Sequence, residues 1–438
     1  MNLYIETFGC QMNDRDSEIM VQLLEQEGYL LTTELQEADV VIVNTCSIRG
    51  KAEQKAYSLL GSLRRLKESR PSLSIVATGC VAQQEGEGML ARMPHVDLVV
   101  GPQAIYQLPQ LINDIKTTGQ SLAATSQRQD FCIPPFLPDL KHGQGHKRFV
   151  TIMQGCNNFC TYCIVPFTRG REVSRSKADI ISEARHLIAQ GVKEITLLGQ
   201  NVNSYGTGLA TPTTFAELLR EVAALPGLER LRFTTSNPKD LSPALMACFS
   251  DLTNLCHHFH LPLQSGSDQV LGRMNRRYSR GDYLSLVAGL KDSCPDIALT
   301  TDIIVGFPGE EDDDFQATME LMEQVRFHAA FSFKYSSRPP ARACDFPAKV
   351  SEEVKKERLA IFQARQKEIT LARNQEYVGQ ELELMVEGES RAGQGQWSGR
   401  SSHNIIVNFH SPVTYSPGDM VQVRVNEGLQ NSLRGELL

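Results

Sequence analysis

The stretch FVTIMQGCNNFCTYC, residues 149–163, decides the fold of the central part of the chain. It begins with a strand-like apolar run and ends with three closely spaced cysteines, Cys156, Cys160 and Cys163. The gaps of three residues and then two place these thiols on one short loop directly after a strand. We therefore predict a β-strand that delivers three thiols to its carboxyl end.

Strand-like and helical segments continue to alternate on both sides of this loop. The strand-like segments of the central region occupy residues 149–156, 194–201, 230–237, 257–265, 298–308 and 327–336. Six parallel strands with right-handed crossovers form an open sheet or a partial (β/α) barrel, because the closed barrel of this kind has eight. The pattern predicts an α/β core domain over residues 142–374, which ends in a charged helix over residues 351–372.

Two smaller domains are predicted beside the core. Residues 1–117 predict a small α/β domain with a parallel sheet, from strand-like runs at 3–10, 38–46, 73–80 and 96–100. Residues 118–141 are rich in Thr, Ser, Gln and Pro, which is typical of a linker. Residues 375–438 contain short β runs separated by Gly, Ser and Asn, and predict a small all-β barrel.

Composition narrows the class of protein. The chain has 438 residues, of which 41% are hydrophobic and 22% charged, as expected of a globular protein with several domains. No apolar run approaches the roughly 18 residues of a membrane span, and the N-terminus shows no secretory signal, so we expect a cytoplasmic protein without a membrane partner. The net charge of −7 argues against non-specific nucleic-acid binding through a global positive field.

The cysteine loop predicts a metal centre. Three thiolates at this spacing can ligate three irons of a [4Fe–4S] cluster and leave one iron without a protein ligand. A zinc site usually needs a second pair of ligands, and no such pair lies nearby in the sequence. The remaining alternative is three unrelated core cysteines, which the tight spacing disfavours.

A second cysteine set lies in the first domain. Cys10, Cys46 and Cys80 are 36 and 34 residues apart, and each closes a predicted strand. Because the carboxyl ends of parallel strands meet at one edge of a sheet, we expect the three thiols to converge there. Three ligands again leave one iron open; the alternative is three buried free cysteines, which are common.

The loop C-x3-C-x-aromatic-C, with Tyr162 as the aromatic residue, resembles the signature of the radical S-adenosylmethionine (SAM) superfamily. The resemblance implies that SAM binds the open iron and is cleaved to a 5′-deoxyadenosyl radical. It also implies SAM contacts at Tyr162, at Gln200 after the second strand, and at Gly306 and Glu310 in the string IIVGFPGE. The segment LGQN around Gln200 departs from the common Gly-Gly-Glu form of the family.

Both cysteine sets together, in this order and followed by a small β domain, resemble the methylthiotransferase family of radical SAM enzymes over the whole chain. The resemblance implies a methylthiotransferase domain (1–117), a linker (118–141), a radical SAM core (142–374) and a TRAM domain (375–438). The strings ETFGCQMN, VNTCSIR, GCNNFCTYCIVPFTRG and LPLQSGSD are most similar to the branch that modifies isopentenyl-adenosine in tRNA.

This resemblance implies two [4Fe–4S] clusters and a SAM-dependent transfer of a methylthio group to carbon 2 of the adenine at position 37, next to the anticodon. The implied partners are the tRNA anticodon arm, an electron donor and a sulfur or iron–sulfur donor, and we expect a monomer. A sister branch would act on threonylcarbamoyl-adenosine in tRNA or on an aspartate of a ribosomal protein. The non-enzyme alternative is an iron–sulfur protein that binds RNA or senses redox state.

Two other groups of residues complete the expectations. Arg273, Arg276, Arg277 and Arg280 are expected to form an arginine face that dominates tRNA affinity, since the C-terminal domain carries only four cations against eight carboxylates. The histidines at positions 257, 258 and 260 are expected to serve packing or substrate contact rather than to hold a metal, because neighbouring strand residues face opposite ways.

Overall fold

The structure, a computed structural model, describes residues 1–47, 50–136, 145–391, 393 and 395–438. The first domain contains six strands and five helices in this part of the chain. In order they are β1 (Asn2–Thr7), α1 (Gln11–Gln26), β2 (Leu30–Leu31), β3 (Val40–Thr45), α2 (Gly50–Ser69), β4 (Ser74–Gly79), α3 (Cys80–Glu85), α4 (Glu87–Arg92), β5 (Leu98–Val100), α5 (Leu108–Thr118) and β6 (Leu122–Ala124).

The six strands form one parallel sheet in the order β2-β1-β3-β4-β5-β6. Strands β3 and β4 are buried throughout, because helices cover both faces of the sheet. The predicted parallel α/β domain is therefore confirmed.

One part of the predicted linker is wrong. Residues 122–124 fall inside the range 118–141, yet they form β6, which pairs in parallel with β5 at the edge of the sheet. A strand of three residues, Leu-Ala-Ala, is too short to show a periodic pattern in the sequence. Residues 137–141 of the predicted linker, and 142–144 of the predicted core, lie outside the described residues.

The core domain begins with a strand, a short hairpin and the cysteine loop between the hairpin strands. Its elements are β7 (Lys147–Thr151), β8 (Met153–Gln154), α6 (Val165–Thr168), β9 (Val173–Ser174), α7 (Lys177–Ala189), β10 (Glu194–Leu198), α8 (Phe215–Ala223), β11 (Arg230–Phe233), α9 (Pro243–Asp251), β12 (His258–His260), α10 (Asp268–Arg273), α11 (Arg280–Ser293), β13 (Ala298–Val305), α12 (Asp312–Val325), β14 (Ala329–Lys334) and α13 (Glu352–Gln375).

Six parallel strands of this domain form the predicted partial barrel. Strands β7, β10 and β11 make one triplet and β12, β13 and β14 the other, and a single parallel bridge between Leu231 and Leu255 joins them. The apolar side chains of alternate strand residues, such as Ile195 and Leu197, pack outward against the helices. The prediction of a six-strand (β/α) core is confirmed.

The C-terminal domain is a closed five-strand barrel, also as predicted. It comprises β15 (Glu381–Glu389), β16 (Gln396–Ser401), β17 (Ile406–His410), β18 (Met420–Gly428) and β19 (Leu433–Leu437), in the order β15-β16-β17-β19-β18. Its core is built from alternate strand residues such as Leu384, Val407, Phe409 and Val423.

This barrel covers the end of the core at which the strands begin. Arg232, buried in β11, donates to the backbone oxygen of Ser401 (2.8 Å), and Lys147, the first residue of β7, pairs with Glu387 (2.5 Å). His257 Nδ1 and His403 Nε2 both lie 2.9 Å from the carboxylate of Asp296. The opposite end of the core contains the carboxyl ends of the strands, where ligands bind in such folds. This end faces the first domain and the cysteine loop.

Within the described ranges no helix has the length and apolarity required to cross a membrane.

Candidate active site

The cysteine loop leaves the end of β8 through a glycine whose conformation no other residue tolerates well. Gly155 has φ +81°, and a Cβ at this position would lie 2.0 Å from the backbone oxygen of Arg171. The amide of Cys156 donates to the oxygen of Gly170 at 3.2 Å, which closes the loop at its base. On the other side, Thr161 N donates to Met274 O at 3.0 Å.

Donor groups of the protein surround the three thiols of this loop. The backbone amide of Asn158 lies 3.5 Å from Cys156 Sγ, and Arg276 Nη1 lies 3.4 Å from Cys160 Sγ. Burial and the neighbouring Cys160 raise the pKa of Cys163 to about 12, so this thiol needs a metal or a cation to become a thiolate. Three sulfur ligands with N–H donors beside them fit the ligand set of a [4Fe–4S] cluster.

Two of the predicted SAM contacts, Tyr162 and Gln200, lie in or beside this loop, and their direct contact with SAM stays a prediction. Tyr162 packs against the apolar cluster that contains Met274 and Phe307, and burial raises its pKa well above the usual value. Gln200 Oε1 accepts from the amide of Gly155 at 2.5 Å, whereas its Nε2 is buried without a partner among the described residues. The orphaned amide suits a polar ligand beside the cysteine loop.

The other two predicted SAM contacts belong to one turn after β13. Gly306 has φ +69°, and its amide donates to Glu310 Oε1 at 2.7 Å. The carboxylate of Glu310 is also paired with Arg358 at 2.7 Å. Glu310 therefore shapes the turn around Gly306, and a direct contact of either residue with SAM stays a prediction.

The second cysteine set converges as the strand pattern predicted. Cys46 and Cys80 directly follow β3 and β4, and Cys10 follows β1 after Phe8 and Gly9; the three strands are adjacent in the sheet. A Cβ at Gly9 (φ +130°) would lie 2.8 Å from Cys46 Sγ, so only glycine allows the chain of Cys10 to approach Cys46 this closely.

The three thiols of this set interact with one another and with one cation. A hydrogen bond from the Cys46 thiol lowers the pKa of Cys10 to about 6, and the charge of Arg169 contributes. Burial raises the pKa of Cys80, which Arg169 and the Thr168 hydroxyl oppose. Three converging thiols beside a fixed positive charge fit a site for a negatively charged iron–sulfur group.

Arg169 comes from the core domain and was missed by the sequence analysis. Its Nη2 donates to Asp16 Oδ2 at 2.7 Å and to Asn13 Oδ1 at 3.0 Å, both on α1. Asn13 in turn donates to Phe8 O and Thr45 O, each at 2.9 Å, next to Cys10 and Cys46. The sequence did carry a signal for Asn13 and Arg169. Asn13 stands in the string CQMN close behind Cys10, and Arg169 stands in the string FTRG close behind Cys163.

The loop that begins at Cys156 therefore ends at the other cysteine set. It leaves the first set after Cys163, forms α6 and reaches Cys80 through Thr168 and Arg169. A buried ion-pair network next to it, Arg15–Glu183 at 2.6 Å and Arg175–Glu183 at 2.6 Å, also joins α1 to the core. The two cysteine sets thus face a common interface between the two domains.

A cavity of about 490 Å³ adjoins Cys160 and Cys163. Phe159 and Phe167 stand in its wall with 37% and 42% of their surface exposed, unusually high for phenylalanine. Phe346, Arg273 and Arg342 line the rest of the opening. Aromatic faces beside arginines are the combination that binds unpaired nucleotides.

The expected arginine face does not exist as a helix surface. Helix α10 ends at Arg273 and α11 begins at Arg280, so the four arginines lie on a helix end, a turn and a second helix start. Arg276 points at Cys160 Sγ and Pro262 O, and Arg280 Nη1 donates to Ala317 O. The sequence spacing could not show this break, because Asn275 takes a positive φ of 58° that ends the helical path.

The histidines at positions 257, 258 and 260 have two different environments. His258 Nε2 and His260 Nδ1 lie 3.2 and 3.0 Å from the Thr300 hydroxyl, which is a packing role inside the barrel. His257 instead joins Asp296 and His403 in a cluster that could hold a metal ion. In the structure these three side chains bond to one another across the interface between core and C-terminal barrel.

The rate at which each thiol is alkylated tests the pKa shifts of Cys10 and Cys163. In cluster-free protein at pH 7, Cys10 is expected to react with iodoacetamide fastest of the six, because its pKa of about 6 makes it mostly thiolate. Its rate should fall as the pH drops below about 6, where the thiol is protonated. Cys163, with a pKa of about 12, should remain unlabelled. Peptide mass spectrometry measures both, with exposed Cys132 as the control; equal labelling of Cys163 and Cys10 would contradict the geometry.

Comparison with known families assigns a class to each domain. Residues 2–101 match the description "Uncharacterized protein family UPF0004", residues 150–322 match the radical SAM superfamily and residues 375–438 match the TRAM domain. The fold and the cysteine loop thus define a radical SAM protein, a class that implies a [4Fe–4S] cluster and SAM as cofactors.

Close relatives extend over the full chain. A protein of Desulfotalea psychrophila named tRNA-2-methylthio-N(6)-dimethylallyladenosine synthase is 54% identical, with 100% of this chain and 99% of the relative covered. Proteins of the same name from Syntrophus aciditrophicus (50% identical, 100% and 94% covered) and Geotalea uraniireducens (49%, 99% and 98%) agree. The chain belongs to the family of tRNA-2-methylthio-N(6)-dimethylallyladenosine synthases.

Solved structures with the same fold are much more distant in sequence. The radical SAM methyltransferase TsrM from Kitasatospora setae, with tryptophan and a SAM analogue bound, is 14% identical with a TM-score of 0.58 over 78% of this chain and 75% of that one. The cobalamin-dependent radical SAM enzyme OxsB is 12% identical with a TM-score of 0.52, over 83% of this chain and 55% of that one. These matches show the fold alone.

Proposed function

We propose that this protein adds a methylthio group to carbon 2 of N6-isopentenyladenosine at position 37 of tRNA, and that Cys10, Cys46 and Cys80 hold a second [4Fe–4S] cluster. One observation carries the proposal: a single loop runs from the Cys156 set to Thr168 and Arg169, beside Cys80. A protein that only needed SAM cleavage would require the first set alone. The names of the full-length relatives supply the substrate.

The chemistry explains why two sets are needed. The C–H bond at carbon 2 of adenine is neither acidic nor electrophilic, so a cofactor must carry the hard step while the protein positions it. When bound, the first cluster and SAM supply a carbon radical. The chain supplies sulfur ligands, the Arg276 and Asn158 donors to those sulfurs, and the Gln200 amide that fixes the loop at Gly155.

The second set has a separate task, which is to present the sulfur that is transferred. Thiolate ligands require deprotonated cysteines, and the lowered pKa of Cys10 favours that state. Arg169 offsets the negative charge that accumulates when several thiolates and a cluster share one buried site. Sulfur delivery at the interface keeps the two reacting groups in the same space, which the loop between the sets enforces.

The cavity beside Cys160 and Cys163 is the proposed place of the target base. A base of the anticodon loop is unpaired and can be splayed into a pocket, where Phe159 and Phe167 offer stacking surfaces. The apolar isopentenyl tail would pack against the same aromatic wall. Arg273 and Arg342 at the opening offer charges to the adjacent phosphates.

The remaining partners follow from this reaction. It consumes electrons and sulfur, so the proposal includes an electron donor and a sulfur or iron–sulfur donor. We propose a monomer, since both cysteine sets meet within one chain, and a cytoplasmic location, where tRNA is processed and where free thiols such as the eleven of this chain stay reduced.

Substrate choice is tested with tRNA that has or lacks the isopentenyl group. We expect kcat/KM to be on the order of a hundredfold lower without it, because burial of a five-carbon tail contributes several times ~0.8 kcal/mol. Mass spectrometry of the nucleosides after turnover measures the product. Equal rates on both tRNAs would overturn the assignment and favour the branch that acts on threonylcarbamoyl-adenosine.

The C-terminal barrel alone is expected to bind tRNA poorly. Arg400, Arg424 and Arg434 are each paired with a glutamate of the barrel, at 2.8, 2.7 and 2.9 Å, and the domain contains eight carboxylates. Residues 375–438 should therefore bind at least about a hundredfold more weakly than the full chain, with little salt dependence. Filter binding over a salt series measures both quantities.

The matched variant for that experiment is the full chain with Arg273, Arg277 and Arg342 changed to Ala. All three residues are exposed, unlike Arg276, and Arg273 and Arg342 line the cavity. Loss of each phosphate contact should lower the slope of log affinity against log salt by about 0.7 to 0.9. Tight tRNA binding by the isolated barrel, together with unchanged tRNA binding by the full-chain variant, would mean that the barrel and not these arginines supplies most of the affinity.

A further inference from the structure

Arg169 has a donor that the protein itself does not use. Its side chain is about 3% exposed, and Nη2 is held by Asp16 and Asn13. Nη1 of the same guanidinium is buried and has no hydrogen-bond partner among the described residues. A buried, charged N–H group without an acceptor is unfavourable, so the site is built for an acceptor that the protein does not provide.

The surroundings of Arg169 define the chemistry of that acceptor. Cys10 and Cys80 are close enough to act on the charge of Arg169, and Asp16 is the carboxylate that balances it. The anchoring of Nη2 by two side chains on α1 prevents the guanidinium from turning to satisfy Nη1 elsewhere. The missing partner is therefore an anion that sits beside the three cysteines.

We propose that Arg169 Nη1 binds an anionic sulfur ligand, a hydrosulfide or an alkylthiolate, carried at the Cys10–Cys46–Cys80 site. The inference rests on the proposed function of that site, in which three cysteines leave one iron open for a sulfur ligand. A guanidinium is charged at every relevant pH and donates in a fixed fork, so it favours the anionic ligand over a neutral thiol or water. Arg169 thereby selects and orients the sulfur atom that is transferred.

The experiment uses the full chain with Cys156, Cys160 and Cys163 changed to Ala, so that only the second site can hold a cluster. After reconstitution, sodium sulfide and sodium methanethiolate are titrated in separate series, and the spectrum of the reduced cluster by electron paramagnetic resonance reports binding. The same titrations are made with Arg169→Gln, with Arg169→Lys and with Arg185→Gln, a control at an exposed position on α7.

Arg169→Gln is expected to keep about four irons and to weaken binding of both sulfur ligands about ten- to a hundredfold, the loss of one charge-assisted hydrogen bond. Arg169→Lys keeps the positive charge but lacks the second arm of the fork, so it should lose at least about tenfold. Arg185→Gln should bind as the parent does. If Arg169→Gln fails to take up iron, the sulfur affinity of Arg169→Lys decides whether Arg169 binds the sulfur ligand.

Two outcomes contradict the inference in different ways. Unchanged affinity of an iron-loaded Arg169 variant, with normal binding by the parent, would overturn the role of Arg169 and leave the proposed function intact. An iron-loaded parent that binds neither sulfide nor methanethiolate would overturn both. Arg15→Gln separates the binding role from the docking of the domains, because it removes the Arg15–Glu183 ion pair between α1 and the core but leaves Arg169 with both of its partners on α1; its sulfur affinity should stay within about threefold of the parent.

Discussion

Replacing Cys156, Cys160 and Cys163 together with Ala is expected to abolish SAM cleavage and to leave about four irons per reconstituted chain. The reason is geometric: one loop carries all three proposed ligands, and the sulfurs to which Arg276 and the Asn158 amide donate belong to that loop. The measurement is 5′-deoxyadenosine after chemical reduction with SAM present, together with iron content. We expect a fall of at least about 10³-fold, to the level without protein.

The control for this variant is Cys132→Ala, which removes an exposed thiol outside both sets and should leave both readings unchanged. SAM cleavage that survived the triple substitution would mean that another site carries the SAM chemistry. About eight irons retained by the triple variant would mean that these cysteines are not ligands.

Replacing Cys10, Cys46 and Cys80 with Ala is expected to separate SAM cleavage from product formation. This variant should also keep about four irons and should continue to form 5′-deoxyadenosine, while methylthio transfer to tRNA falls below detection. The first set is held by contacts within the core, such as Thr161 with Met274, that these substitutions do not touch. Methylthio transfer by this variant would show that a cluster at Cys10, Cys46 and Cys80 has no part in sulfur delivery.

The fold of each domain could be predicted from the sequence because it depends on local patterns of residues. Strand-like runs that end in a cysteine predicted both the order of the elements and the convergence of Cys10, Cys46 and Cys80, since parallel strands share one edge. The cysteine loop could be predicted for the same reason, because its three cysteines lie within eight residues. Strand β6 was missed because three residues carry no period.

Contacts between domains were not accessible in the same way. Arg169 and Asp16 are far apart in sequence, and although Arg169 stands close behind a cysteine in the string FTRG, no local pattern shows that it pairs with Asp16. The role of Arg276 depends on the positive φ of Asn275, which turns the chain toward Cys160. The sequence suggested a shared arginine face, whereas the structure divides these residues between the cysteine loop and the surface.

The two cysteine sets also help to choose between the proposed function and the alternative functions. A redox sensor or a plain RNA-binding protein needs neither a SAM-type loop nor a second set held to it by Thr168 and Arg169. The sister activities on threonylcarbamoyl-adenosine or on a ribosomal-protein aspartate would use the same cysteines. We propose that they differ at the cavity beside Cys160 and Cys163, where the aromatic side chains of Phe159 and Phe167 would favour an apolar substituent over a charged one.

The most direct test of the central claim is mass spectrometry of tRNA nucleosides from cells that lack this protein. We expect 2-methylthio-N6-isopentenyladenosine to disappear and unmodified N6-isopentenyladenosine to accumulate in its place. The natural gene should restore the methylthio nucleoside, and the Cys10, Cys46 and Cys80 triple Ala variant should not. Persistence of the methylthio nucleoside in the deleted cells, or its return with that variant, would contradict the account.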